Sequence, residues 1–296
     1  MKILRTPEER FAHLPDFPFA SHYADLGGIR MHYLDEGKNE QEVVLMLHGE
    51  PSWCFLYRKM IPILVSSGFR VVAPDLIGFG KSDKPVDPDA HTYQAHVDWM
   101  VAFVQQLNLQ QITLVAQDWG GLIGLRVAAE HASRFKRIVA ANTFLPTGDQ
   151  QPPEAFFQWR EFSQKTPVFD VGKVVQLGCV SELPAEVVAA YDAPFPEESY
   201  KVAARRFPML VPVSPDDPAA AANRRAWQVL RNWQKPFITI FSDSDPITRG
   251  AETYLQKYIP GAKGQDHAIL RNAGHFLQED QGEVFAQKVA AFMQST

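Results

Sequence analysis

The sequence predicts an α/β protein: a mostly parallel central sheet flanked by helices, with a helical cap inserted into the chain. Three observations carry that expectation. Continuous apolar runs such as Val43-Val44-Leu45-Met46-Leu47 and Ile112-Thr113-Leu114-Val115-Ala116 have the form of strands buried on both faces. Stretches with apolar residues at three- and four-residue steps separate these runs, as crossover helices do. Beyond Leu145 the alternation lapses into a segment rich in Phe, Pro and Ala, and then resumes.

Taken in order, residues 29–33 alternate as a half-buried strand, 43–47 and 112–116 read as central strands, and 70–73 and 138–141 are shorter versions. Residues 57–65, 93–107 and 122–131 carry the helical period between them. The segment 146–223 lacks strong strand runs and is expected to form the cap. A strand at 237–241, another at 267–270 and a closing helix over 282–293 complete the core, which is thus assigned to 1–145 and 224–296.

Composition narrows the function classes. The 296 residues are 46% hydrophobic and 21% charged, enough for a self-sufficient core and too balanced for disorder. A net charge of −5 with no Lys/Arg stripe disfavours nucleic acid and anionic membranes and suits a small neutral partner. Cys54 and Cys179 form neither a CxxC pair nor a disulfide framework, so neither a zinc site nor a secreted stapled domain is expected. No apolar run approaches the roughly 18 residues of a membrane span, and the opening MKILRTPEERFAHLPDF has no signal-peptide core. We therefore expect a cytoplasmic monomer that needs no metal, nucleotide or redox cofactor.

In an open parallel sheet, ligands bind outside the carboxyl ends of the strands, so the residues that follow each run are the candidates. After 43–47 comes His48-Gly49-Glu50-Pro51-Ser52-Trp53. Such a tight turn aims backbone N–H groups into the crevice; the Glu50 N–H is the expected oxyanion donor, with His48 as scaffold. After 112–116 comes Gln117-Asp118-Trp119-Gly120-Gly121. A sharp strand–nucleophile–helix elbow needs small residues two positions either side of its centre, and Ala116 and Gly120 satisfy that around Asp118. An Asp here is also an ordinary helix N-cap, and the motif alone leaves both readings open. After 237–241 comes Asp245, with Asp243 as its competitor, and after 267–270 comes His275 in Asn272-Ala273-Gly274-His275-Phe276. Asp118, Asp245 and His275 thus follow the chain order of a nucleophile–acid–histidine triad, each at the end of a different strand.

These motifs, with Ala73-Pro74-Asp75-Leu76-Ile77-Gly78-Phe79-Gly80-Lys81-Ser82-Asp83-Lys84-Pro85, resemble the haloalkane dehalogenases of the α/β-hydrolase fold. The likeness runs from about Leu4 to the final helix and is nearest to the subfamily whose second halide-binding tryptophan comes from the cap. It implies a hydrolysis in which Asp118 displaces halide from a saturated carbon and water activated by His275 and Asp245 cleaves the resulting ester. A serine in place of Asp118 would leave an ether that water does not readily open. The resemblance also implies Trp119 and Trp159 as halide donors, since an indole N–H donates and never accepts. It implies the Glu50 and Trp119 backbone N–H groups as the oxyanion hole, and Leu122, Phe156, Val211 and Ile247 as walls of an apolar pocket. The partners would be a small halogenated hydrocarbon, halide ion and water. Two other readings stand beside this one. An epoxide hydrolase uses the same three catalytic residue types with cap tyrosines, for which Tyr191 and Tyr200 are the candidates. A non-catalytic small-molecule binding protein on the same scaffold is the second.

Overall fold

The computed structural model describes residues 2–38 and 41–296. Its main sheet has eight strands: β1 (His22–Asp25), β2 (Arg30–Glu36), β3 (Val43–Leu47), β4 (Arg70–Pro74), β5 (Ile112–Gln117), β6 (Phe135–Ala141), β7 (Phe237–Ser242) and β8 (Ala268–Leu270). Their order is β8-β7-β6-β5-β3-β4-β2-β1. Strand β2 pairs antiparallel with β1 and β4, and every other pairing in this sheet is parallel. Strands β3 and β5 are buried at every position, so helices must cover both faces. Those of the first half are α1 (Ile61–Ser66), α2 (Tyr93–Gln106) and α3 (Trp119–Glu130).

Between β6 and β7 the chain forms α4 (Glu154–Lys165), α5 (Val171–Leu177), α6 (Ala185–Asp192) and α7 (Val202–Leu210), followed by α8 (Ala220–Leu230). Helix α4 packs on α7 and α5 on α6, whereas α8 packs on α3 of the core. The expected return to the core at 224 falls inside α8, whose buried Asn223 accepts from Arg126 Nη1 (3.0 Å) and donates to the Pro146 carbonyl (2.6 Å). The chain ends with α9 (Ala251–Tyr258) and α10 (Leu277–Ser295).

Several elements differ from the sequence expectation, four of them for reasons local to the chain. The helix expected over 57–65 is a 3-10 turn at Cys54–Tyr57 and then α1, because Pro62 fits only a helix's first turn. Helix α3 begins at Trp119 rather than 122, since Gly120 and Gly121 mask the helical period where the chain packs tightly. Helix α10 begins at Leu277 rather than 282; a kink at Gln281 (φ −138°, ψ 34°) separates its first turn from the periodic remainder. Edge strand β1 escaped detection because only Ala24 of its four residues is buried. Among the described residues, no helix is long and apolar enough to cross a membrane.

Candidate active site

Asp118 sits between the last residue of β5 and the first of α3 with φ 50° and ψ −127°. A non-glycine residue there stores on the order of 1–3 kcal/mol of strain, so its surroundings must hold it. The Asp118 N–H donates to the Asn142 carbonyl (3.1 Å), and its own carbonyl accepts from Gly121 N (2.9 Å) and Thr143 Oγ1 (2.7 Å). Gly120 is required because a Cβ there would lie 1.9 Å from the Leu47 carbonyl oxygen. The Asp118 side chain makes no capping bond to α3. Instead Oδ1 accepts from the Glu50 backbone N–H at 2.8 Å, and Oδ2 lies 3.5 Å from His275 Nε2. Gly49 makes this approach possible, since a Cβ at that position would stand 2.2 Å from Asp118 Oδ1. Trp119 opens α3, where a backbone N–H has no carbonyl one turn back to receive it.

Asp245 follows β7 and lies behind His275, 1% exposed. Its Oδ2 is 3.1 Å from His275 Nδ1, within ion-pair distance though off the hydrogen-bond axis. The same carboxylate accepts from Ile247 N (2.9 Å), Thr248 N (3.3 Å) and Thr248 Oγ1. Burial disfavours charge on both partners, yet the Asp245 carboxylate and contacts with Asp118 outweigh it and push His275 up to about 10. Asp245 is held below its ordinary value for the reciprocal reason, His275 outweighing burial. Asp243, the competitor for this role, is exposed and accepts from Asn272 N (3.1 Å) and Ala273 N (3.3 Å). It braces the loop that carries His275 and does not contact the imidazole.

These groups open onto a cavity of about 1150 Å³. Glu50, Asp118, Trp119 and His275 line it from the strand ends, and Phe156 and Trp159 of α4 from above. Leu122, Val211 and Ile247 also line it. The Trp119 ring packs on Tyr93 (5.1 Å between centroids) and on Phe207 of α7 (4.5 Å). Trp159 is half-buried beside Phe162 and Phe169, each at 5.8 Å. Burial and the Asp118 charge push the Glu50 carboxyl well above the usual range, against smaller pulls from His275 and Trp159. His48 is fully buried and acts as scaffold: Nδ1 donates to the Gly49 carbonyl (2.9 Å) and Nε2 accepts from Leu76 N (2.9 Å).

The structure corrects the placement of two residues. Tyr191 and Tyr200, on which the epoxide reading depends, do not line the cavity; Tyr191 is fully buried and donates to Glu279 instead. Two residues that sequence reasoning missed belong to the site. Asn142, just past β6, donates through Nδ2 to Ser242 Oγ (2.8 Å) and to the carbonyls of Gly274 and His275 (3.0 Å each), and accepts from Ser242 N (3.0 Å). Gln117 donates through Nε2 to the His275 carbonyl at 3.1 Å, and the same nitrogen lies 3.1 Å from His275 Nε2. Each stands at or just beyond a strand's carboxyl end, the one signal that could have singled it out.

Away from the cavity, buried His32, Cys54 and Asp75 cluster closely enough to suggest a cation. The Asp75 oxygens, however, already accept from His32 Nδ1 (2.7 Å), Cys54 N (2.8 Å) and Lys81 N (2.8 Å), so the cluster is a hydrogen-bonded brace for the 75–83 loop.

Comparison with known proteins places the chain in a family. A sequence-family profile described as alpha/beta hydrolase fold matches residues 42–281. A haloalkane dehalogenase of Psychrobacter cryohalolentis is 57% identical, the alignment covering 99% of this chain and 98% of that one. A haloalkane dehalogenase of Mycolicibacterium paratuberculosis is 50% identical, with 100% and 99% covered. Among solved structures, the tetrameric haloalkane dehalogenase of Paraglaciecola agarilytica superposes with a TM-score of 0.91 at 38% identity, covering 97% of each chain. With identity this high sustained from end to end, the chain belongs to the haloalkane dehalogenases of the α/β-hydrolase fold.

Proposed function

We propose that the protein hydrolyses carbon–halogen bonds of haloalkanes to alcohol, halide and a proton, with Asp118 as nucleophile and His275–Asp245 as the base pair. The observation that carries this reading is the position of the Asp118 carboxylate, held between the Glu50 N–H and His275 Nε2 at the bottom of an apolar-walled cavity. With Oδ1 tied to Glu50, Oδ2 is the oxygen that attacks. It bonds to the substrate carbon as the carbon–halogen bond breaks and its electron pair leaves with the halide. Two indoles facing the cavity, Trp119 and Trp159, supply donor-only N–H groups for that anion, which is the arrangement of the subfamily with a cap tryptophan.

Oδ1 is then the ester carbonyl oxygen, already beside the Glu50 N–H that would stabilise it as an oxyanion, with the Trp119 N–H as second donor. Esterification also removes the Asp118 charge that helps keep His275 protonated. Once that charge is gone the imidazole gives up its proton to solvent, which is the proton of the overall reaction; the neutral ring then takes a proton from water as that water attacks the ester carbon, and the alkoxide leaves with the remaining hydroxyl proton as alcohol, restoring the Asp118 carboxylate and the imidazolium. The catalytic unit is a single chain, because its own strand-end loops and cap wall the cavity. The tetramer formed by the Paraglaciecola agarilytica relative makes sedimentation the check on whether such units assemble.

The test is halide release from small terminal bromo- and chloroalkanes, followed by ion chromatography. We expect halide and alcohol in equal amounts, both lost in Asp118→Ala. His275→Gln should stop at the ester, adding the alkyl mass to the protein at Asp118. Diol from styrene oxide with no halide from any haloalkane would overturn the proposal.

A further inference from the structure

The cavity is larger than a short haloalkane requires. Its volume of about 1150 Å³ exceeds the roughly 300–1,000 Å³ of sites that enclose a drug-sized ligand, and it continues between α8 and α9. One side of that extension is aromatic. Phe144, Trp227 and Tyr254 pack on one another with centroids 5.3–5.9 Å apart. The other side is cationic. Arg224, Gln228 and Arg231, at steps of four and three, share one face of α8, and Arg249 stands just before α9.

The charges at this end do not cancel. Among the described residues, Asp149 is the only carboxylate lining this end, and Arg224 holds it, with Nε to Oδ2 at 3.0 Å and Nη2 to Oδ1 at 2.7 Å. Among the described residues, Arg231 and Arg249 have no ion-pair partner. Arg231 reaches only the Tyr254 hydroxyl (3.5 Å) and the Tyr258 ring, and Arg249 the Asp243 carbonyl (2.9 Å). Both guanidiniums are exposed, with most of their five N–H donors free.

We propose that this groove receives the far end of the substrate, so that the preferred substrates are halogenated chains ending in a carboxylate. The inference rests on the dehalogenase reading above: the halogenated carbon lies at Asp118 and the carboxylate at Arg231 and Arg249. The chain between them follows the apolar wall, while the carboxylate stays at a solvated rim and avoids the cost of burying a charge. A planar guanidinium fork matches a carboxylate in shape as well as sign.

The test compares ω-bromoalkanoates of four to ten carbons with the neutral ω-bromoalkanamides of equal length, using kcat/KM for bromide release at low ionic strength. At the best-fitting length, the carboxylate should be favoured about tenfold, the scale of two exposed charge pairs. The ratio should fall to about one in the Arg231→Gln/Arg249→Gln double variant and to a few-fold at 0.5 M NaCl, where the screening length is short. The ratio is read within each protein, so a general loss of activity cancels. Equal rates for the two series in the parent protein, or a preference that survives the double variant, would overturn the inference. 1-Bromobutane is the control that separates the two levels. If it releases bromide while the carboxylate gains nothing, only this inference fails; if no bromoalkane releases bromide, the dehalogenase reading fails with it.

Discussion

Glu50 gives its backbone N–H to Asp118 Oδ1 at 2.8 Å, while its carboxyl is buried against the same charge with Oε1 unpartnered. Burial and Asp118 both hold that carboxyl in its protonated form, well above the ordinary range. A group that binds its proton more tightly folded than unfolded stabilises the fold most at low pH. That stability is lost as pH rises from the unfolded value toward the folded one. Glu50→Gln keeps the shape and removes the titration. We expect it to melt above the parent at about pH 8 and with it near pH 4, by differential scanning calorimetry; a variant that melts lower at pH 8 would show the carboxylate ionised and paired. For the halide, Trp159→Phe removes one indole N–H, and bromide should then quench the remaining tryptophan fluorescence only at several-fold higher concentration. Unchanged quenching would move the second donor elsewhere. Asp118, Asp245 and His275 were legible because each has a signature residue type after a recognisable strand. Glu50 was legible as a backbone donor, but the state of its carboxyl depends on what surrounds it, which no local pattern contains.

Three strand ends meet at Asn142, whose side chain bonds Ser242 at the end of β7 and the loop that bears His275, while its carbonyl accepts from Asp118 N. Asn142→Ala would free the catalytic loops to drift relative to one another. We expect kcat to fall on the order of a hundredfold with KM nearly unchanged, since misplacement by about 1 Å costs that much in catalysis. A fall confined to KM would mean that Asn142 shapes the pocket rather than the catalytic geometry. A second junction ties cap to core: Glu279 of α10 is bound by Arg58 Nη1 and Nη2, by Lys59 and by Tyr191 of α6. Arg58 is 2% exposed and Glu279 3%, so Glu279→Ala leaves a buried guanidinium without its charge partner. Losses of this kind run to about 3–5 kcal/mol, and urea unfolding should show one of that size. This residue lies in the turn 277–281 that periodicity did not reveal. The parallel strands were legible because burial on both faces requires uninterrupted apolar runs. Their partners at element junctions were not, because a glutamate that reaches across the fold looks locally like any helix-surface glutamate.

Across the whole molecule, the chain order of motifs was enough to place Glu50, Asp118, Asp245 and His275 at one edge of the sheet, since parallel strands bring their carboxyl ends together. The cap was legible only as a change of rhythm. Its packing decided that Trp159 faces the cavity while Tyr191 turns to Glu279, and that depends on how helices meet rather than on their sequences. One such meeting links cap, core and pH. His91 Nε2 donates to the Pro85 carbonyl (3.0 Å), and its Nδ1 lies 3.2 Å from His96 Nε2, a pair of ring nitrogens that one proton between them satisfies. The His96 ring lies 4.4 Å from Phe207 of the cap, which in turn contacts Trp119 at 4.5 Å. Burial holds both imidazoles below their ordinary value, aided by Arg206 at His91 and by His91 at His96, with Asp87 and the Pro85 carbonyl opposing more weakly. The unfolded chain therefore takes up protons near pH 6.5 that the folded chain refuses. Stability falls as pH drops below that value, by up to about 1.4 kcal/mol per pH unit for each ring, and is flat above it as far as this pair is concerned. The depressed carboxylates of Asp245 and Glu279 act in the same direction only at lower pH. Between about pH 6.5 and 5, the melting temperature of a His91→Gln/His96→Gln variant should thus vary less steeply than that of the parent, whatever its absolute value. An equal slope in the two proteins would mean that the pair is protonated in the folded state and that Phe207 packs against a cation.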